Sequence, residues 1–350
     1  MAIHASSLHD TREAMKERLS GVVPDFEIHA KAELVFEINR LKAERGAIIL
    51  GHNYMEPALY HTVPDVVGDS LELARKAAET DQDPIVFCGV RFMAETAKIL
   101  NPDKLVLLPA KKAGCSLAES ITAEDVRRLR TQYPGVPVVT YINTYADVKA
   151  ETDVCCTSGN AAAIVKALDS DTVIFIPDEF LAGNVARETG KRIIFPVLDD
   201  KSKQADDSLD YELIGWRGRC EVHEKYTVDD IKNARAQFPE VTILAHPECS
   251  PDVVEASDFS GSTSKMISYV KECPGKQILL LTECSMGDNI AAENRDKEMI
   301  RLCSVRCPHM NEITLEDTLN ALRHNHYPIE VEETIRVRAK RSIDRMLAMS

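Results

Sequence analysis

The sequence predicts an α/β protein. It is read as three similar α/β/α domains with short parallel sheets, set about a pseudo-threefold axis with an active site at their central interface. Three observations predict this. Short apolar runs alternate with amphipathic helical patterns, which is how parallel sheets with crossover helices are written. That alternation restarts twice along the chain. One spacing also recurs in each stretch: Cys115, Cys220 and Cys307 are each followed seven residues on by a threonine (Thr122, Thr227, Thr314) and three further on by an aspartate (Asp125, Asp230, Asp317). Thr-x-x-Asp ahead of a helical pattern is a helix start, because the hydroxyl accepts an orphan N–H and the acid suits the positive helix end. Of the ten cysteines, the other seven (Cys88, Cys155, Cys156, Cys249, Cys273, Cys284 and Cys303) have no hydroxyl residue at that offset.

Taken in order, residues 1–30 read as a variable lead-in and 31–44 as an amphipathic helix, with Leu34, Val35, Ile38 and Leu41 at helical spacing. Ala47 to Leu50 is a buried parallel strand running into His52-Asn53-Tyr54, and polar residues at such strand ends are where α/β proteins place ligands. Asp65 to Ser70 opens a helix, 85–88 and 105–108 are strands with a helix over 92–100 between them, and Cys115 closes the unit. The pattern restarts with a strand over 138–143, a helix opening at 155–160, and strands at 173–176 and 193–195, before Cys220. The polar stretch 199–210 reads as a surface insertion. A third unit has a strand over 241–245 ending in His246-Pro247-Glu248, a helix opening at 260–264, a strand at 278–281, and Cys307. A last amphipathic helix covers 332–349. The domains are therefore expected at 46–130, 131–235 and 236–312, after a lead-in and helix at 1–45 and before C-terminal helices at 313–350 that pack back on the body.

The units keep register. His52 to Ser70 spans 18 residues, Tyr141 to Ser158 spans 17, and His246 to Thr263 spans 17. Each unit thus offers a polar strand end, a hydroxyl residue at a helix start and one cysteine. Helix starts bind phosphate or carboxylate through backbone N–H groups, so three at matched positions suit a polyanionic ligand, whereas each alone is an ordinary cap. Three converging thiolates select zinc, copper(I) or an iron–sulfur cluster, against the plainer reading of buried apolar cysteines. On a four-iron cubane, three cysteines leave one iron free to act as a Lewis acid. His, Glu and Tyr at the strand ends can carry protons.

Bulk properties exclude other classes. A net charge of −14 with no basic run argues against nucleic acid. No apolar stretch is long enough for a bilayer or a signal peptide, so a cytoplasmic protein with free or metal-bound thiols is expected.

Several segments carry a family resemblance: Gly51-His52-Asn53-Tyr54, Val67-Gly68-Asp69-Ser70-Leu71, 92–98 (Phe-Met-Ala-Glu-Thr-Ala-Lys), Gly114-Cys115, Tyr141-Ile142-Asn143, Cys156-Thr157-Ser158, His246-Pro247-Glu248, Gly261-Ser262-Thr263, Cys307-Pro308-His309-Met310 and Ile313-Thr314-Leu315. From about residue 46 to the C-terminus the chain resembles the quinolinate synthase family, iron–sulfur enzymes of de novo NAD biosynthesis. The resemblance implies a [4Fe–4S] cluster on Cys115, Cys220 and Cys307, and condensation of iminoaspartate with dihydroxyacetone phosphate to quinolinate, phosphate and water. It implies substrate contacts from His52, Ser70, Tyr141, Ile142, Asn143, Ser158, His246, Pro247, Glu248 and Thr263, with proton transfer at Tyr54, His246 and Glu248. L-aspartate oxidase is implied as a transient partner that supplies iminoaspartate. The chain departs from some members in having Cys303-x-x-x-Cys307 where they carry a closer three-cysteine run, which leaves the role of Cys303 open. Against this stand another cluster-dependent hydro-lyase and a metal-binding regulatory protein; the latter predicts a closed four-ligand site with no convergent His/Glu/Tyr set.

Overall fold

The structure, a computed structural model, describes residues 2–196, 211–302 and 305–350. The insertion at 199–210 and Cys303 lie outside the described residues.

Three parallel sheets with helices carry the fold, as predicted. The first holds Val66–Gly68, Ile48–His52, Ile85–Cys88 and Val106–Leu107 in that spatial order. The third repeats the order with Phe259–Ser260, Thr242–Ala245, Gln277–Leu281 and Glu298–Ile300. The second begins the same way with Val154–Cys156, Val138–Tyr141 and Val173–Ile176, then adds Leu213–Gly215 and Ile193–Ile194. The register repeats too: Leu50 pairs with Val66, Val139 with Val154 and Leu244 with Phe259. The short edge strands 66–68, 154–156 and 259–260 were read from sequence only as helix openings. Two or three residues are too few to show an alternating pattern, and their pairing partner alone makes them strands.

A repeated aspartate sets this register. The Ile49 N–H donates to Asp65 Oδ2 at 2.9 Å, Val138 N–H to Asp153 Oδ2 at 2.7 Å and Ile243 N–H to Asp258 Oδ2 at 2.8 Å. Each aspartate also pairs with a cation from the preceding helix: Lys42 at 2.8 Å, Arg130 at 2.8 Å and Arg235 at 3.0 Å. The carboxylate thus satisfies a strand N–H that no neighbouring strand reaches. Asp153→Ala and Asp258→Ala are each expected to cost about 1–3 kcal/mol in a denaturant titration, the penalty for an unpaired donor at a buried strand start.

The threonine caps form where the spacing places them. Thr122, Thr227 and Thr314 cap the helices Ala123–Gln132, Val228–Gln237 and Leu315–His324, accepting from the N–H of Asp125, Asp230 and Asp317. The lead-in, by contrast, is structured. Helix Leu8–Leu19 precedes Asp25–Arg45, and Met15, Leu19 and Ile28 are fully buried. Three apolar residues scattered through a polar stretch are a weak pattern that only packing reveals. Helix Leu315–His324 packs on Asp25–Arg45, while Glu333–Ala348 packs on the second unit at Ala146–Ala150 and Val154–Cys156. One apolar cluster therefore runs through the first sheet, part of the second and the terminal helices, whereas the third sheet has its own clusters.

Candidate functional site

The three cysteines reach one place because each loop is clasped in the same way. After the third strand of each sheet a helix begins, and its first N–H donates to the carbonyl two residues ahead of the cysteine. These bonds are Arg91 to Ala113 at 2.8 Å, Glu179 to Gly218 at 2.7 Å and Cys284 to Val305 at 3.0 Å. Each cysteine carbonyl then accepts from the N–H four residues on (Glu119, Glu224 and Asn311), all at 3.0 Å. The tight turns that result aim N–H groups back at each sulfur. Burial pushes the Cys115 thiol up to about 12, Cys307 up to about 11 and Cys220 well above its ordinary value. The N–H groups of Leu117 and Ala118, of Val222 and His223, and of His309 and Met310 oppose that effect and favour thiolate. A thiol that burial keeps neutral but donors await as thiolate suits a cationic ligand.

These cysteines line one cavity of about 700 Å³, counting the space open at its mouth. His52, Tyr54, Ser70, Tyr141, Asn143, Ser158, His246, Glu248 and Thr263 line it too, so all three units contribute. Two further residues expected there do not line it. Ile142 is buried in the apolar core, and Pro247 faces a separate pocket, its carbonyl accepting from Asn184 at 2.8 Å. Both sit just past a strand end, Ile142 in a bend where its carbonyl accepts from the Thr144 N–H at 2.8 Å and Pro247 in a turn closed by the Cys249 N–H on the His246 carbonyl at 2.9 Å, so the chain bends there and only the flanking residues face the cavity. Ser70 and Thr263 open helices Ser70–Glu79 and Thr263–Glu272 as expected, but neither is the cap, and Ser158 opens no helix. Asp69 already caps the N–H groups of Leu71 and Glu72, Ser262 caps Lys265, and Ser158 lies in the turn before helix Ala161–Ala167.

Glu248 is the hub. Its Oε1 accepts from Tyr141 OH at 2.5 Å and from Asn143 Nδ2 at 3.2 Å, and its Oε2 lies 2.6 Å from His223 Nδ1. His223 Nε2 is 2.9 Å from Thr282 Oγ1, which lies 2.6 Å from Tyr54 OH. A chain of polar contacts therefore runs from Tyr54 to Tyr141. Burial raises both tyrosines well above their ordinary value and the nearby Glu248 charge adds to it. Burial alone would raise Glu248, but the adjoining His223 outweighs it and the carboxyl stays well below the usual range. Asn143 Oδ1 is buried with no hydrogen-bond partner among the described residues.

His52 and His246 share a local device. His52 Nδ1 accepts from the Tyr54 N–H at 3.2 Å, and His246 Nδ1 from the Glu248 N–H at 3.3 Å. A nitrogen that accepts carries no proton, so each neutral ring holds its hydrogen on Nε2; that of His246 lies 3.3 Å from Ser158 Oγ. Burial lowers His52 to about 4 and His246 to about 3, and lowers His61, outside the cavity, to about 4. Unfolded histidine titrates near ~6.5, so between that pH and about 4 the unfolded chain binds more protons. Stability present above pH ~6.5 is thus lost as pH falls. His61→Gln is expected to flatten part of that slope, by up to a few kcal/mol, in thermal melts taken across this window.

His223, Thr282 and the buried carboxyls Asp178 and Glu283 were missed by sequence reasoning. His223 sits in a charged Glu-Val-His-Glu-Lys run that looks like a solvated surface, yet it is 2% exposed and its ring stacks on His246 at 4.5 Å. Its one signal is the Cys220-x-x-His223 spacing. Asp178 and Glu283 occupy the same structural position, capping the helix whose first N–H clasps a cysteine loop.

Three sulfurs from three units line one cavity with N–H groups facing each, a donor set that could hold a metal centre. Among the described residues, the one group whose donor atoms all lie within 4.8 Å of one another is Cys220, His223 and Glu248.

Comparison with known proteins gives a consistent answer. A family model described as "Quinolinate synthetase A protein" matches residues 36–348. The chain is 49% identical to quinolinate synthase 2 of Mesorhizobium japonicum, covering 98% of this chain and 100% of that protein. It is 50% identical to quinolinate synthase of Agrobacterium fabrum (99% and 92% covered) and 52% identical to that of Xylella fastidiosa strain 9a5c (91% and 86% covered).

Proposed function

Because the chain belongs to the quinolinate synthetase A family of enzymes, we propose that it condenses iminoaspartate with dihydroxyacetone phosphate to form quinolinate, phosphate and water. The observation that carries this reading is one cavity, shared by three α/β units, that joins three cysteines to a Glu248-centred proton network. We read those units as domains at 46–130, 131–235 and 236–312, since each range holds the defining strands of one sheet.

Cys115, Cys220 and Cys307 would hold a [4Fe–4S] cluster. Bound there, it would supply an iron without a protein ligand, a Lewis acid for carboxylate, carbonyl or hydroxyl oxygen. The chain's own residues supply the rest. The described lining has no lysine or arginine, so two carboxylates and a phosphate must be held by hydroxyls, amides and imidazoles. Ser70, Ser158 and Thr263 offer hydroxyls, and the Nε2–H groups of His52 and His246 are donors. The unpaired Asn143 Oδ1 suits a substrate amine or hydroxyl. Glu248, ionised, is the group that accepts a proton; Tyr54 and Tyr141, kept neutral, are the groups that give one to a developing alkoxide. Burial of this set excludes water from competing imine hydrolysis. No described helix is long and apolar enough to cross a membrane, and we place the enzyme in the cytoplasm, where L-aspartate oxidase would deliver the unstable imine.

Anaerobic protein given both substrates should form quinolinate, followed by product absorbance or mass. No product from protein with a full complement of iron and sulfide would overturn the assignment.

A further inference from the structure

We propose that Cys220, His223 and Glu248 form a binding site for a single zinc-type transition-metal ion in the protein that carries no cluster. Their donor atoms all lie within 4.8 Å of one another. Around tetrahedral zinc, bond lengths of ~2.0–2.3 Å set donors roughly 3–4 Å apart, so the side chains need only small shifts to close on an ion. His223 Nδ1 and Glu248 Oε2 stand 2.6 Å apart across a shared hydrogen, and an ion takes that hydrogen's place. The imidazole proton then sits on Nε2, facing Thr282 Oγ1 at 2.9 Å, and the Cys220 thiol proton is released to solvent.

The supporting contacts are those of a built site. Thr282 fixes the His223 ring, and Tyr141 OH holds the far oxygen of Glu248 at 2.5 Å. Outer partners of this kind orient metal ligands and make their mutation costly. His223 is 2% exposed and Glu248 3%, so little water screens the ion's attraction to its ligands. Sulfur, nitrogen and oxygen from three residues, with a fourth position open to the cavity, is the ligand pattern of exchangeable zinc rather than of a closed structural site.

One consequence follows for assembly. Cys220 is common to this site and to the proposed cluster, so ion and cluster exclude each other. The ion also takes Glu248 and His223 out of the proton network. Zinc therefore competes with cluster formation. This consequence rests on the cluster reading; binding of the ion does not.

The test uses the full-length, cluster-free protein with zinc alone, followed by calorimetry and metal content, and with cobalt as a spectroscopic probe. One ion per chain is expected, with a thiolate-to-cobalt charge-transfer band and proton release. Cys220→Ser and His223→Ala should each weaken binding at least about tenfold and change the cobalt spectrum, while Cys115→Ala and Cys307→Ala bind within about twofold of the parent. Unchanged affinity in Cys220→Ser and His223→Ala would overturn the site, and so would a cobalt spectrum without a thiolate band. Loss in Cys115→Ala and Cys307→Ala equal to that in Cys220→Ser would also overturn it, since a three-thiolate set would then hold the ion. Zinc-loaded protein should further resist reconstitution with iron and sulfide until a chelator is added. If zinc binds as stated but does not slow reconstitution, the cluster reading fails and the ion site stands.

Discussion

Cys220→Ala, purified without oxygen, is expected to lose its iron and acid-labile sulfide, about four of each per chain in the parent, and to drop below about 1% of parental quinolinate formation. Cys115→Ala and Cys307→Ala should do the same, and Cys303→Ala should not. Each of the three comes from a different unit, and each sulfur has its own pair of facing N–H groups. No described neighbour duplicates any of them, so a single deletion leaves two thiolates for a cluster that needs three. The loss of rate is large because an open iron is asked to supply several kcal/mol of charge stabilisation during dehydration, and each 1.4 kcal/mol is tenfold. A cluster indifferent to these three variants would sink this reading and leave the fold intact.

Glu248→Gln is expected to lower kcat by about 10²–10⁴-fold while iron and sulfide stay at parental levels. The amide keeps the volume and can still accept from Tyr141, but it loses the charge that His223 stabilises and the capacity to take a proton. Retained cluster with lost turnover separates a proton carrier from a structural residue. In the parent, burial opposes the charge and His223 restores it, so Glu248 remains ionised well into acid. The acid limb of the parental rate profile should therefore report other groups. Parental activity in the Gln variant would reduce Glu248 to a scaffold for Tyr141 and Asn143.

Much of the architecture was legible because it is written three times. The Cys/Thr/Asp spacing marks three helix caps, and those caps form as local chemistry requires. The buried first strands are continuous apolar runs, readable without a partner. The aspartate that pins each edge strand was equally present, at Asp65, Asp153 and Asp258. A single acid ahead of one to three apolar residues has no signature until its strand N–H is seen. The lead-in and the edge strands were misread for a related reason: their few apolar residues gain meaning only against a surface.

The sequence by itself determined the α/β class, the threefold repetition and the three cysteines, since each depends on local periodicity, on caps, or on matched spacing. Tertiary structure alone decided that His223 joins Glu248, that Thr282 links it to Tyr54, and that Ile142 and Pro247 turn away from the cavity. Those facts depend on which side chains meet across units 25 to 228 residues apart, and on burial that makes an ordinary polar run into a charged, water-poor network.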